Sequence, residues 1–162
     1  MSSLEITIDA ADLERALGSL VGHLDEQLGG AMSRAGTILE TEAKGLAPQK
    51  TTTLHASINA IPTSGKFSEG DLTGGISASA PYALHVEYGT DPHPIYPRIK
   101  RALRWPAMGG SGGWAFAKMV NHPGTTAQPY MEPALEAKRD DVVAVFRKST
   151  ARAIKLSQGG GR

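Results

Sequence analysis

The sequence predicts an α+β fold: antiparallel strands packed by a long N-terminal helix and a C-terminal helix, with a small extra hairpin. Three observations carry this. Apolar residues recur at spacings of three and four over residues 13–46, and a second apolar set follows over 135–154. Between them, two runs alternate apolar with small or polar residues, as paired strands do. The 19 glycines and 10 prolines crowd the middle of the 162-residue chain and cut it into short pieces.

The elements follow in order. Leu4, Ile6 and Ile8 alternate with polar residues as a short strand. Asp9 is a suitable N-cap for a helix starting near Ala11, with Asp12 and Glu14 in its first turn. Leu13, Leu17, Leu20, Val21, Leu24 and Leu28 make one stripe, and Met32, Ala35, Ile38, Leu39, Ala43 and Leu46 resume it. Gly29-Gly30 either divides this helix or only softens it, and Ala47-Pro48 ends it. Residues 51–61 read as a strand with Leu54, Ala56, Ile58 and Ala60 on one face. Residues 63–70 read as a turn, and 71–80 as a second strand antiparallel to the first. Pro81 suits a first helical turn, and Tyr82, His85, Val86 and Gly89 fall at helical spacing. A two-turn helix stopped by Gly89 therefore fits residues 81–88, although Tyr82, Leu84, Val86 and Tyr88 also alternate as a strand would. Residues 91–97 are locked in extended form by three prolines. Leu103–Trp105 and Trp114–Phe116 form a predicted hairpin around a mobile glycine loop, Met108–Gly113. Pro129 to Pro133 opens the last helix, whose apolar set is Leu135, Val142, Val145, Phe146, Ala153 and Ile154. This gives one domain over residues 1–156 and a flexible glycine-rich tail over 157–162.

Composition removes several functions. With no cysteine there is no thiolate chemistry, no disulfide and no Cys-ligated metal. No apolar run approaches the ~20 residues that span a bilayer, and the N-terminus lacks the basic and apolar regions of a signal peptide. The net charge of +1 gives no bulk attraction to nucleic acid. Its distribution is uneven, with eight acids and two bases in residues 1–42 but four acids and seven bases in 131–162. Two solvated helix faces account for this. So does an acidic face of one copy meeting a basic face of the next.

The chemistry-bearing residues form no catalytic pattern. There is no nucleophile elbow, phosphate-binding glycine loop or His-Glu-x-x-His motif. His85, Glu87, His93 and His122 can be drawn as a metal site, but nothing in their spacing enforces one, so no metal and no cofactor are expected. His93-Pro94 and His122-Pro123 read as turn residues, and Glu87 as a structural carboxylate held by the Gly89-Thr90 turn. Arg98, Lys100, Arg101 and Arg104 are the densest basic run, with Trp105 and Trp114 near. They suit a solvated face, an interface, or contact with DNA.

Two stretches echo one another. Tyr82-Ala83 leads to Val86-Glu87-Tyr88-Gly89-Thr90, and His122-Pro123-Gly124-Thr125 leads to Gln128-Pro129-Tyr130 and Pro133-Ala134-Leu135. With Ala43-Lys44 and Ala47-Pro48, then Thr53, Leu54, Ser57 and Ile58, they stand in an order that resembles the head-to-tail joining (tail-completion or neck) proteins of long-tailed bacteriophages, the gene-product-ten-like family of lambdoid phages. The resemblance covers roughly residues 31–146. The chain departs from it at Thr52-Thr53, where family members often carry Thr-Gly.

The resemblance implies a structural virion protein and no enzyme. It implies a small α+β unit, a twisted antiparallel sheet with helices packed on it. Such units assemble as homo-oligomeric rings, commonly sixfold, between the head connector and the tail around the DNA channel. Partners would be further copies of the chain, neighbouring connector, stopper and tail proteins, and non-specifically the traversing DNA, with synthesis in the bacterial cytoplasm. Tyr82, Glu87, Gly89, Thr90, His122, Pro123, Gly124, Thr125 and Pro129 are the expected structural or subunit-interface motif. A tail terminator or other tail-tube ring is the alternative. A small metal-dependent hydrolase and a DNA-binding module are further readings.

Overall fold

A computed structural model of the protein describes residues 10–49, 52–107 and 113–159. The predicted strand at Leu4–Ile8, its Asp9 cap and most of the glycine loop lie outside the described residues. The chain forms two compact units. The first comprises the chain up to Ala80 and from Tyr130 onward, and the second is Pro81–Pro129.

The first unit is built on helix α1, Ala10–Leu46, which runs unbroken through Gly29-Gly30. Two glycines cost a helix about 2 kcal/mol relative to alanine, and packing offsets that. Leu28, Ala31, Ala35, Gly36 and Ala43 are buried along one stripe. The helix stops before Ala47-Pro48, as the sequence predicts.

Residues 52–57 differ from the expected strand. They form a short helix, α2 (Thr52–Ser57), and strand β1 begins only at Ile58 and runs to Ser64. Leu54 is almost fully buried while Ala56 is exposed, whereas a strand would put both on one face; the β-favouring threonines mask this. The His55 Nε2 and the Ala47 carbonyl lie 3.1 Å apart, tying α2 to the end of α1.

Strand β1 pairs antiparallel with β2 (Thr73–Ala78), from Ile58 opposite Ala78 to Ser64 opposite Thr73. The register slips between Ile61 and Ser64, at Pro62, which has no N–H to give the ladder. A 3-10 turn, Phe67–Glu69, joins the strands. The pair lies against α1 at close range. A Cβ on Gly36 would sit 3.2 Å from the Gly75 carbonyl and 3.3 Å from the Ala60 methyl. Glu40 accepts a hydrogen bond from the Ala60 N–H at 2.9 Å and pairs with Lys44 at 2.6 Å. Asp25 accepts two from Ser68, at 2.8 and 2.7 Å.

The C-terminal helix α4, Met131–Gly159, packs antiparallel on α1. Lys138 reaches Glu42 at 3.5 Å, and Arg34 donates to Ser149 Oγ at 2.8 Å. It extends through Ser157 and Gln158, where a tail is expected from the sequence, and residues 160–162 lie outside the described residues.

The seam between the two helices is made of small side chains. Ala31, Ala43, Ala134 and Ala153 are fully buried, while Leu13, Leu17, Leu135 and Ile154 are exposed. The sequence predicts the reverse for the leucines. Across the described residues the largest fully buried side chains are Tyr130, Leu54 and Ile58.

Candidate interface: the paired Gly-Thr loops and the basic hairpin

The second unit begins with α3, Ala83–Tyr88, led in by Pro81-Tyr82 as the sequence predicts. Ala83 and Glu87 are buried on one side, four residues apart, and Leu84 and Tyr88 are exposed on the other. Gly89 ends the helix with φ 74° and ψ −172°, a conformation essentially restricted to glycine.

Beyond it the two echoing stretches meet. Thr90 and Thr125 exchange both backbone hydrogen bonds, each 3.0 Å, as an antiparallel bridge. Gln128 N–H donates to the Val86 carbonyl at 2.8 Å and closes the same loop on α3. Gly124 has φ 87°. Each glycine backs onto the opposite loop, since a Cβ on Gly89 would strike the Thr125 carbonyl and one on Gly124 the Thr90 carbonyl. Thr90 gives its N–H to Thr125, and Thr90 Oγ1 is buried without a hydrogen-bond partner among the described residues.

The bridge continues into a short sheet. Strand β3 (His93–Ile95) pairs with β6 (Val120–His122), His93 opposite His122. Their rings stack with centroids 5.1 Å apart and planes 26° apart. The Gly124 N–H donates to His122 Nδ1 at 3.1 Å, and His93 Nδ1 lies 2.8 Å from the Asp91 carbonyl. The proton on that carbonyl contact must belong to His93, since a carbonyl only accepts. The two His-Pro dipeptides are therefore partners across a ladder. Their repetition in the sequence is the signal for this pairing, and it is missed when each is read alone as a turn.

Of the predicted motif, Gly89, Thr90, His122, Gly124 and Thr125 converge in this clasp. Pro123 and Pro129 are exposed, the latter at the end of the unit, and Tyr82 stands at the N-cap position of α3. Among the described residues no three His, Asp or Glu side chains converge to hold a metal.

The predicted hairpin is β4 (Leu103–Pro106) paired with β5 (Trp114–Ala117), Trp105 opposite Ala115. The Arg104 guanidinium lies 4.0 Å from the centre of the Trp114 ring, a cation–π contact. Arg98, Lys100 and Arg101 are exposed on the bend before β4. Neither these, Arg104 nor Lys118 pairs with a carboxylate among the described residues. Trp114, Phe116, Tyr96 and Ile99 are exposed beside them, Ile99 by 97%. Arg98, Ile99, Arg104 and Phe116 line a shallow groove of about 610 Å³.

Residues 11–89 match a family model described as "Bacteriophage HK97-gp10, putative tail-component", HK97-gp10-like. The matched span covers most of α1, the β1–β2 pair and α3, and ends at Gly89 of the clasp. No curated protein and no solved structure matches the chain.

Proposed function

From the match of residues 11–89 to the HK97-gp10-like family of phage tail components, we propose that the chain is a member of that family and a non-enzymatic ring subunit at the junction of head and tail. One observation supports assembly above all. The buried positions of the first unit are largely alanines, while large apolar side chains such as Leu13, Leu17, Leu135 and Ile154 are left on the surface. A chain that packs small side chains within itself and displays large ones gains hydrophobic stabilisation mainly when copies meet. The clasp supports the same reading. Its cross-bonded loops hold Leu84 and Tyr88 on a short helix whose end is fixed, so binding there costs little ordering entropy.

The proposed partners are further copies of the chain, the connector and tail proteins on either side, and DNA in passage. Contact with DNA is supported by Arg98, Lys100, Arg101, Arg104 and Lys118, none of which pairs with a carboxylate among the described residues. As a tail component the protein belongs to the virion, and no described helix is long and apolar enough to cross a membrane. Imaging of the assembled particle tests the proposal through the subunit's position and copy number. A closed ring between connector and tail tube is expected. A ring at the top of the tube would make it a tail terminator, and a location outside any ring would refute the reading.

A further inference from the structure

The two helices of the first unit are unequal in length. Ser149 faces Arg34. Both helices rise about 1.5 Å per residue, so Gly159 at the end of α4 comes opposite about residue 24 of α1. Residues 10–21 therefore extend past the seam by roughly 18 Å. This overhang has an apolar ridge: Leu13, Leu17 and Val21, exposed by 54%, 52% and 44%. Gly18 and Gly22 flank the ridge with nothing within 4 Å of where a Cβ would stand.

A second apolar surface, partly open to solvent, lies on α4, with Val143 and Ile154 exposed and Val142, Phe146 and Thr150 half-buried. Val142, Phe146, Thr150 and Ile154 form one row at four-residue spacing, and Val143 and Arg147 begin the next. Between these rows is an open groove of about 540 Å³. Rows four apart on one helix pack into grooves between rows four apart on another, at about −50°. The ridge of the overhang has that same spacing. The charges match as well. From Val142 to Gly159, α4 carries Arg147, Lys148, Arg152 and Lys155 and no acid. The overhang carries Asp12 and Glu14 with Arg15, and Glu26 follows within two turns. The overhang belongs to an unbroken helix that runs away from its own α4, so it cannot reach its own groove without breaking.

We propose that the Leu13–Leu17–Val21 ridge of one copy docks into the α4 groove of a second copy, head to tail. The surfaces differ, so each copy offers one of each, and the contact repeats until the rotation closes a ring. This rests on the ring reading above and names the faces that would make it.

The test uses the full chain in sedimentation velocity, with Leu17→Glu and Val143→Glu. Both positions are exposed, so folding is expected to persist, and circular dichroism with a melting curve checks it. The wild type is expected to self-associate. Each variant by itself should associate about a hundredfold or more weakly, because a hydrated charge would replace an apolar side chain at the centre of the contact and would have to be desolvated. Mixed one to one, the variants should form dimers and nothing larger, since only the overhang of Val143→Glu and the groove of Leu17→Glu remain intact. The chain has no cysteine, so Leu17→Cys mixed with Val143→Cys supplies a clean disulfide test between copies. If Leu17→Glu lost association while Val143→Glu kept it, overhangs would be pairing with each other, and the proposal would be overturned. So would a monomeric wild type, variants that assemble normally, or a mixture that stays monomeric. Variants that still form wild-type rings would refute this contact while leaving the ring reading intact. A particle with no ring of this chain would refute both.

Discussion

Replacing Gly124 with alanine tests the clasp at its most constrained point. Its φ of 87° is a region that L side chains rarely adopt, and holding alanine there costs about 1–3 kcal/mol. The added methyl would also point at the Thr90 carbonyl, which accepts the Thr125 N–H. Relief requires the loops to part, and each of the two reciprocal hydrogen bonds contributes about 0.5–1.5 kcal/mol. The free energy of local opening should thus fall by about 2–6 kcal/mol. Amide hydrogen exchange at Thr90 and Thr125 reads this directly, because 2 kcal/mol is about a thirtyfold loss of protection. Gly89→Ala should act alike, and the double variant should cost less than the sum, since either substitution already parts the same loops. Gly29→Ala is the control. It sits in helix with open space around it and should stabilise by about 0.5–1 kcal/mol. Protection at Thr90 and Thr125 within about threefold of wild type in Gly124→Ala would refute the reasoning, because that change is under 1 kcal/mol.

Ala153→Leu should overpack the α1–α4 seam and lower stability by about 1–3 kcal/mol, seen as a lower urea midpoint at constant slope, while exposed Ala137→Leu should be close to neutral. Asp25 is held below the ordinary carboxylate range chiefly by the Ser68 hydroxyl, and Glu40 by Lys44. Their contribution is therefore complete above that range and lost as pH falls through the lowered values. Thermal midpoints should hold down to about pH 5 and then decline, more shallowly in an Asp25→Asn, Glu40→Gln variant. Arg104→Ala should remove the cation from Trp114, change tryptophan emission and weaken the hairpin by about 0.5–1 kcal/mol, whereas Arg98→Ala should leave emission unchanged.

What the sequence makes legible is what local pattern determines. The long helix, its stop at Pro48, the β1–β2 pair, the turn of helix before Gly89 and the Trp hairpin follow from period, proline and glycine. Three features escape. The threonines of 52–57 favour strand, but the segment buries Leu54 and exposes Ala56 as a helical turn does, and tertiary burial prevails over propensity. The leucine stripe of α1 reads as core along its whole length, yet α4 opposes only its C-terminal part, and a partner's length is invisible in a periodicity. The two Gly-Thr loops are recognisable as similar. That they bond to each other is a contact across 35 residues, which local reasoning does not reach.

The clasp has a mechanical consequence. It joins residues 90 and 125, so the strands that leave for the hairpin and return from it are tied at one root. The stretch between Pro97 and Met119 is then an arm whose length can be edited without moving its anchor. Residues inserted or removed there would alter how far the arm reaches, while the distance between the points where the chain departs and rejoins stays fixed.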